Sequence, residues 1–257
     1  MRLYLSAAPE RMAEAERLGL HPAYLAYRVE KSGHLLIKKG CGNFSGGLLV
    51  LTDAAFPRLT PAETECLSHE ICTECSARGF EGAAADFESA PDDGRLALLR
   101  SLCSALRADG RKLYVPESYG RSISDTVVLV CTAVSGGTLK YKLRSAVLEF
   151  GANRVAADFA RVLMDFSLPS PDGIGRTTSV GELESLMARL SPAVFYSPEL
   201  CAKYFTYSAG GGTRLYLFDD AGTMNEKIRF AGTLGISEGF LQYGEVSDIL
   251  LRMFSKR

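Results

Sequence analysis

At 257 residues and 47% hydrophobic content, the chain is long enough to bury a large core, and an α/β barrel of this length forms one domain, so residues 1–257 are expected to be one. Its 29 basic and 30 acidic residues leave a net charge of -1 with no Lys/Arg cluster interleaved with aromatics, which argues against a nucleic-acid partner. No apolar run is long enough for a membrane-spanning helix, and seven cysteines, an odd number scattered along the chain, fit a reducing compartment better than a disulfide framework.

Leu3-Tyr4-Leu5-Ser6 reads as a first strand, and Pro9 to Gly19 as a helix closed by glycine. The opening run Met1 to Ala8 is too short and too quickly charged for a signal peptide, so a cytoplasmic protein is expected. His21 to Gly47 is irregular: Tyr24 to Val29 and Leu35 to Lys38 both alternate, as in a hairpin. Gly46 to Asp53 is a buried strand, and Pro61 to Arg78 reads as a helix carrying Cys66, His69, Cys72 and Cys75 at intervals of three. Those are metal-ligand types, but on one rigid helix they drift around the axis and cannot close a tetrahedron, so core-facing cysteines and no metal are expected. His21, His34 and His69 are isolated in sequence and carry no catalytic expectation.

The next stretch, Gly79 to Glu88, reads as a buried parallel strand of small residues ending in two acids. Strand alternation puts Gly82, Ala84, Asp86 and Glu88 on one face, so the two carboxylates look the same way and raise each other's pKa. Such a pair suits general acid chemistry. Beyond it come a helix over 93–109, strands at Lys112–Glu117 and Thr126–Val134, and a helix ending near Gly151. A further strand is expected at Arg161–Ser167, a helix from Ser179 to Leu190, a strand at Ala193–Tyr196, a hairpin around Gly210-Gly211-Gly212, a helix over 221–234 and a closing strand at Gly239–Tyr243. This alternation points to an α/β (β/α)₈ TIM barrel, reduced or irregular near its N-terminus. The count runs one strand beyond eight, so one of 112–117, 126–134 or an early segment is expected to stand outside the barrel. Gly40-x-Gly42 lacks the context of a nucleotide-binding fingerprint, and no cofactor is expected.

Glu81-Gly82-Ala83-Ala84-Ala85-Asp86-Phe87-Glu88 resembles the Asp-Gly-x-Asp-x-Asp-x-Glu motif of glycoside hydrolase family 18, with Ala84 in place of the middle Asp. Leu217 to Lys227 is similar to the family's aromatic-Asp-Asp segment and its Lys-bearing helix, and the resemblance in order covers nearly the whole chain. The match is to the short bacterial branch acting on cell-wall or spore glycans, which adds spore association to the expected placements. The resemblance implies substrate-assisted retaining hydrolysis of glycans containing N-acetylated amino sugars. Glu88 would be the acid, and Asp86 would orient the 2-acetamido group. It also aligns Met164-Asp165-Phe166-Ser167 with Met-x-Tyr-Asp of the sixth strand, the tyrosine hydroxyl being lost, and puts Gln242 nearest the place of a Trp that this chain lacks. Asp165 is the expected replacement carboxylate, Tyr119 or Tyr243 the stacking surface, and Met164 and Phe166 neighbours of the sugar. Two alternatives differ in kind: a catalytically impaired glycan-binding or scaffold barrel, and another hydrolase or lyase using Asp86, Glu88, Glu117 and Asp165 as a carboxylate cluster.

Overall fold

A computed structural model of the chain describes residues 1–37, 43–170 and 173–255, so Gly40-x-Gly42 lies outside the described residues. The strands in chain order are β1 (Arg2–Ala7), β2 (His21–Val29), β3 (Leu35–Ile37), β4 (Leu48–Thr52), β5 (Gly82–Asp86), β6 (Lys112–Pro116), β7 (Val127–Cys131), β8 (Val155–Asp158), β9 (Leu163–Leu168), β10 (Arg176–Thr177), β11 (Phe195–Ser197), β12 (Ala202–Ala209), β13 (Gly212–Phe218) and β14 (Glu238–Gln242). The helices are α1 (Met12–Arg17), α2 (Pro61–Arg78), α3 (Asp93–Ala108), α4 (Glu117–Gly120), α5 (Leu139–Phe150), α6 (Val180–Leu190), α7 (Ala221–Thr233), α8 (Tyr243–Val246) and α9 (Leu250–Phe254).

Parallel pairing runs β1-β2-β4-β5-β6-β7-β8-β14 and returns to β1, closing an eight-stranded barrel with helices outside, the (β/α)₈ architecture. The hairpin of the early segment is present, with β2 as a stave and β3 paired antiparallel on it. Both 112–116 and 127–131 are staves, so the surplus strand is neither of them. The seventh stave is Val155-Ala156-Ala157-Asp158, a four-residue strand with no recognisable pattern of its own. Leu163–Leu168, expected as the sixth stave, instead opens a five-stranded antiparallel sheet, β10-β9-β13-β12-β11, inserted between β8 and α7. The expected hairpin around Gly210-Gly211-Gly212 is its β12–β13 turn. No described helix is long and apolar enough to cross a membrane.

The small residues of β5 follow from packing. A Cβ on Gly82 would lie 2.1 Å from the Lys112 carbonyl oxygen, so only glycine lets β5 and β6 approach as closely as they do. Ala83 and Ala85 face the outer layer, where Leu67, Ile71 and Cys75 of α2 and Leu98, Leu99 and Leu102 of α3 are buried. Ala84 faces inward, among Tyr4, Val50, Tyr114, Ala156 and Phe240. The rings of Tyr4, Tyr114 and Phe240 fill the middle of the barrel, with centroids 5.0, 5.1 and 5.9 Å apart. Beneath them Glu238 accepts hydrogen bonds from Lys112 Nζ at 2.8 Å and Tyr114 OH at 3.0 Å, so this buried acid keeps its partners.

One fully buried ion pair ties the insertion back to the barrel. Lys227 Nζ of α7 donates to Asp219 Oδ2 at 2.6 Å and to the Thr132 carbonyl oxygen just past β7 at 3.3 Å, and both charged residues are 0% exposed. Asp219 also accepts from Val162 N and from Thr223 Oγ1, both at 2.8 Å. A buried carboxylate with this many donors is tolerable only while all remain. Lys227→Met should therefore lower the unfolding free energy by about 3–5 kcal/mol in denaturant titration, and adding Asp219→Leu should recover part of that loss.

Candidate active site

The C-terminal rim of the barrel is where loops follow each stave, and alternation decides which side chains face inward there. Asp86 lies two residues beyond Ala84 on β5, and Asp158 two residues beyond Ala156 on β8. Each therefore stands one pleat above an alanine of the aromatic layer; Cys131 on β7 and Phe240 on β14 are the register partners of Asp158, and Gln242 pairs with Ser6 of β1 one pleat beyond Phe240. Sequence reasoning found Asp86 and Gln242 and missed Asp158 and Cys131. Glu245, which comes from α8, was also missed.

The electrostatics of this group follow from the floor beneath it. Burial, then the charges of Glu245 and Asp86, raise the Asp158 carboxyl to about 7, with Lys142 opposing. Asp86 is raised by burial and by Glu88 and Asp53, and Glu245 mainly by burial, despite accepting from Arg161 N at 2.9 Å. Burial also pushes the Cys131 thiol up, away from a nucleophilic thiolate. The mouth thus holds several acids whose burial shifts them toward the neutral form, Asp158 with the one large shift.

Glu88 stands beside this group on the loop after β5, its side chain exposed. Its loop is held by Asp53, a buried carboxylate that accepts from Glu88 N at 3.1 Å, Ser89 N at 3.2 Å and Arg95 Nε at 2.9 Å. Hydrogen bonds from Ser89, Glu88 and Arg95 outweigh burial and keep Asp53 below the usual carboxylate range. Glu117 follows β6 and reaches Lys142 Nζ at 3.4 Å.

The remaining expected residues lie elsewhere. Tyr119 is 0% exposed, donates to the Ser89 carbonyl oxygen at 2.9 Å and meets Phe87 edge-on, so it has no open face for a sugar. Tyr243 is half-buried beneath the Arg11 guanidinium, 5.7 Å above its ring. Met164, Asp165 and Phe166 belong to β9 of the inserted sheet, not to the barrel's sixth stave, which is β7. Asp165 is locked by Arg214 Nη2 at 2.8 Å and Tyr207 OH at 3.0 Å. It lines a surface cavity of about 850 Å³ with Arg176, Arg189 and Arg214. Phe166, on the other face of the sheet, lines a groove of about 600 Å³ with Tyr196, Tyr204, Leu215 and Ser135, the last from the loop after β7. The carboxylate cluster expected of Asp86, Glu88, Glu117 and Asp165 is thus broken by Asp165, and Asp158 and Glu245 join Asp86 instead.

Between about 4 and 7 the unfolded chain has Asp158 ionised while the folded state keeps it protonated, so this group makes stability fall as pH rises across that window. In thermal unfolding scans, Asp158→Asn should flatten that fall and raise the Tm relative to wild type at pH 8, with little change at pH 4.

No family model matches the chain, and no curated protein matches it in sequence. Solved structures do match in fold. The spore cortex-lytic enzyme SleL of Bacillus megaterium is 17% identical, with a TM-score of 0.64 over 95% of this chain and 71% of that one. A chitinase from Chromobacterium violaceum is 14% identical, with a TM-score of 0.67 over 100% of this chain and 99% of that one. A class V chitinase from Nicotiana tobaccum, solved in complex with NAG4, is 11% identical, with a TM-score of 0.61 over 99% of both chains. The chain shares the (β/α)₈ fold of these chitinase-like structures.

Proposed function

We propose that this chain is a divergent glycoside hydrolase acting on glycans with N-acetylated amino sugars, and that its reaction centre is the rim formed by Asp86, Glu88 and Asp158. The observation that carries the reading is that the rim holds, besides Asp86, a second buried carboxyl, Asp158, raised to about 7 by burial and by the charges of Glu245 and Asp86. Ala84 stands where the motif has its middle Asp, and in this reading Asp158, from a stave three positions round the barrel, supplies the second carboxyl. Fold likeness to two chitinases and to a spore cortex-lytic enzyme supports the substrate class.

In this reading Glu88 donates a proton to the leaving glycosidic oxygen while the substrate's own acetamido carbonyl attacks the anomeric carbon. Asp86 holds the acetamido N–H and balances the positive charge of the oxazolinium that forms. Water, deprotonated by Glu88, then reopens that ring with net retention. Asp158, neutral near Asp86, adds no second negative charge to the rim and leaves Asp86 as the charge that faces the acetamido group. A second reading is a catalytically impaired glycan-binding or scaffold barrel; Ala84 in place of the motif's middle Asp favours it, because that substitution removes a carboxyl the reaction would use.

Turnover of a chromogenic N-acetylglucosaminide and of peptidoglycan-derived disaccharides separates the two. The enzyme reading expects Glu88→Gln to lower kcat by about 10²–10⁴-fold, the usual share of a general acid. It also expects an alkaline limb near pH 7 that Asp158→Asn removes. Calorimetric binding of the same glycans with no turnover by wild type would establish the receptor instead.

A further inference from the structure

The residues of α2 that looked like zinc ligands do not act together, but one of them meets two groups that sequence spacing could not reveal. Cys75 is buried and Cys72 half-buried, whereas Cys66 is exposed. Cys66 Sγ lies 3.8 Å from Glu70 Oε1, one helical turn on, and His34 Nδ1 of the β2–β3 turn lies 2.5 Å from that same oxygen. The three donor atoms lie within 4.8 Å of one another.

The surroundings orient this set as outer partners orient metal ligands. Glu70 Oε2 accepts from Leu35 N at 2.8 Å, which fixes the carboxylate and leaves Oε1 turned to His34 and Cys66. The His34 turn is itself closed by Glu30 N to the His34 carbonyl oxygen at 2.8 Å and Gly33 N to the Glu30 carbonyl oxygen at 2.9 Å, so the imidazole is carried on a short, tied loop. Cys66 and Glu70 at i and i+4 share one face of α2, the spacing at which two helical side chains reach one ion.

We propose that His34, Cys66 and Glu70 form a surface site for a divalent transition metal of zinc type, with solvent in the fourth position, which clips the β2–β3 hairpin to α2. Nitrogen, thiolate and carboxylate donors together match zinc and exclude the all-oxygen preference of calcium and magnesium. With bonds of about 2.0–2.3 Å, donors around a tetrahedral zinc stand roughly 3.2–3.8 Å apart. The Cys66–Glu70 separation already has that value, and the His34–Glu70 contact needs to open by roughly 1 Å, within reach of two partly exposed side chains. The site lies on the outer face of the barrel wall and is independent of the glycan reading.

Cobalt titration of the full chain tests it. Co²⁺ should give a near-ultraviolet thiolate-to-metal charge-transfer band and tetrahedral d–d bands, both bleached by stoichiometric Zn²⁺. Cys66→Ser should abolish the charge-transfer band, and Cys72→Ser should leave it intact. Zn²⁺ should raise the Tm of the wild type and fail to do so for His34→Gln and Glu70→Gln. Absence of the band at saturating Co²⁺, or its survival in Cys66→Ser, overturns the proposal. So does a Tm that drops equally in His34→Gln and Glu70→Gln but is insensitive to zinc in the wild type, since that outcome leaves an ion pair only.

Discussion

Everything distinctive about the rim follows from what fills the barrel below it. Tyr4, Tyr114 and Phe240 occupy the central layer, with Ala23, Ala84 and Ala156 small enough to admit them. The carboxylates one pleat above therefore have an apolar floor. A charge above such a floor loses much of its hydration, and its neutral form gains accordingly. Asp158 responds most because Glu245 and Asp86 add like charge to the burial, while Lys142 offsets only part of it. The same floor explains why Ala84 is compatible with a second acid: the interior at that level is taken by rings, so the neighbour of Asp86 comes from the next level of another stave.

The inserted sheet matters to this arrangement through its ends. β8 enters it immediately after Asp158, and Asp219 leaves it directly into α7. The Lys227–Asp219 pair, bonded to Val162 N and the Thr132 carbonyl oxygen, fastens both ends against β7. Arg161 adds a second fastening: its backbone N–H and its guanidinium reach the Glu245 side chain and carbonyl oxygen, and it pairs with Asp248 at 2.6 Å. Thus Glu245, which helps raise Asp158, is held by the first residues of the same insertion. The body of the sheet keeps its own charges satisfied, Asp165 by Arg214 and Tyr207, and so contributes a groove wall instead of a catalytic carboxylate.

Much of the barrel was legible in the chain. Strongly apolar staves such as Leu48–Thr52 and the small-residue stave Gly82–Asp86 announced themselves, as did the helix that Thr60 and Gly79 bound. Val155-Ala156-Ala157-Asp158 did not, because four residues carry too little periodicity to separate a strand from the end of the preceding helix. The more apolar Leu163–Leu168 took its place in the count, and with that shift the site residues Met164, Asp165 and Phe166 were assigned to the wrong structure. Asp158 and Glu245 were invisible for a different reason: each is an ordinary acid in sequence, made unusual only by closure of the sheet and by the aromatic layer. Likewise His34 was isolated in the chain and meets Cys66 and Glu70 only because the β2–β3 hairpin folds over α2.

The central claim is that the aromatic floor keeps a carboxyl of the rim protonated near neutrality. Carbonyl-carbon NMR of side-chain carboxyls, titrated from pH 4 to pH 9 in the wild type and in Asp158→Asn, measures it directly. The account requires a resonance titrating near 7 in the wild type that vanishes in Asp158→Asn. An Asp158 midpoint near 4, in the ordinary carboxylate range, would contradict it.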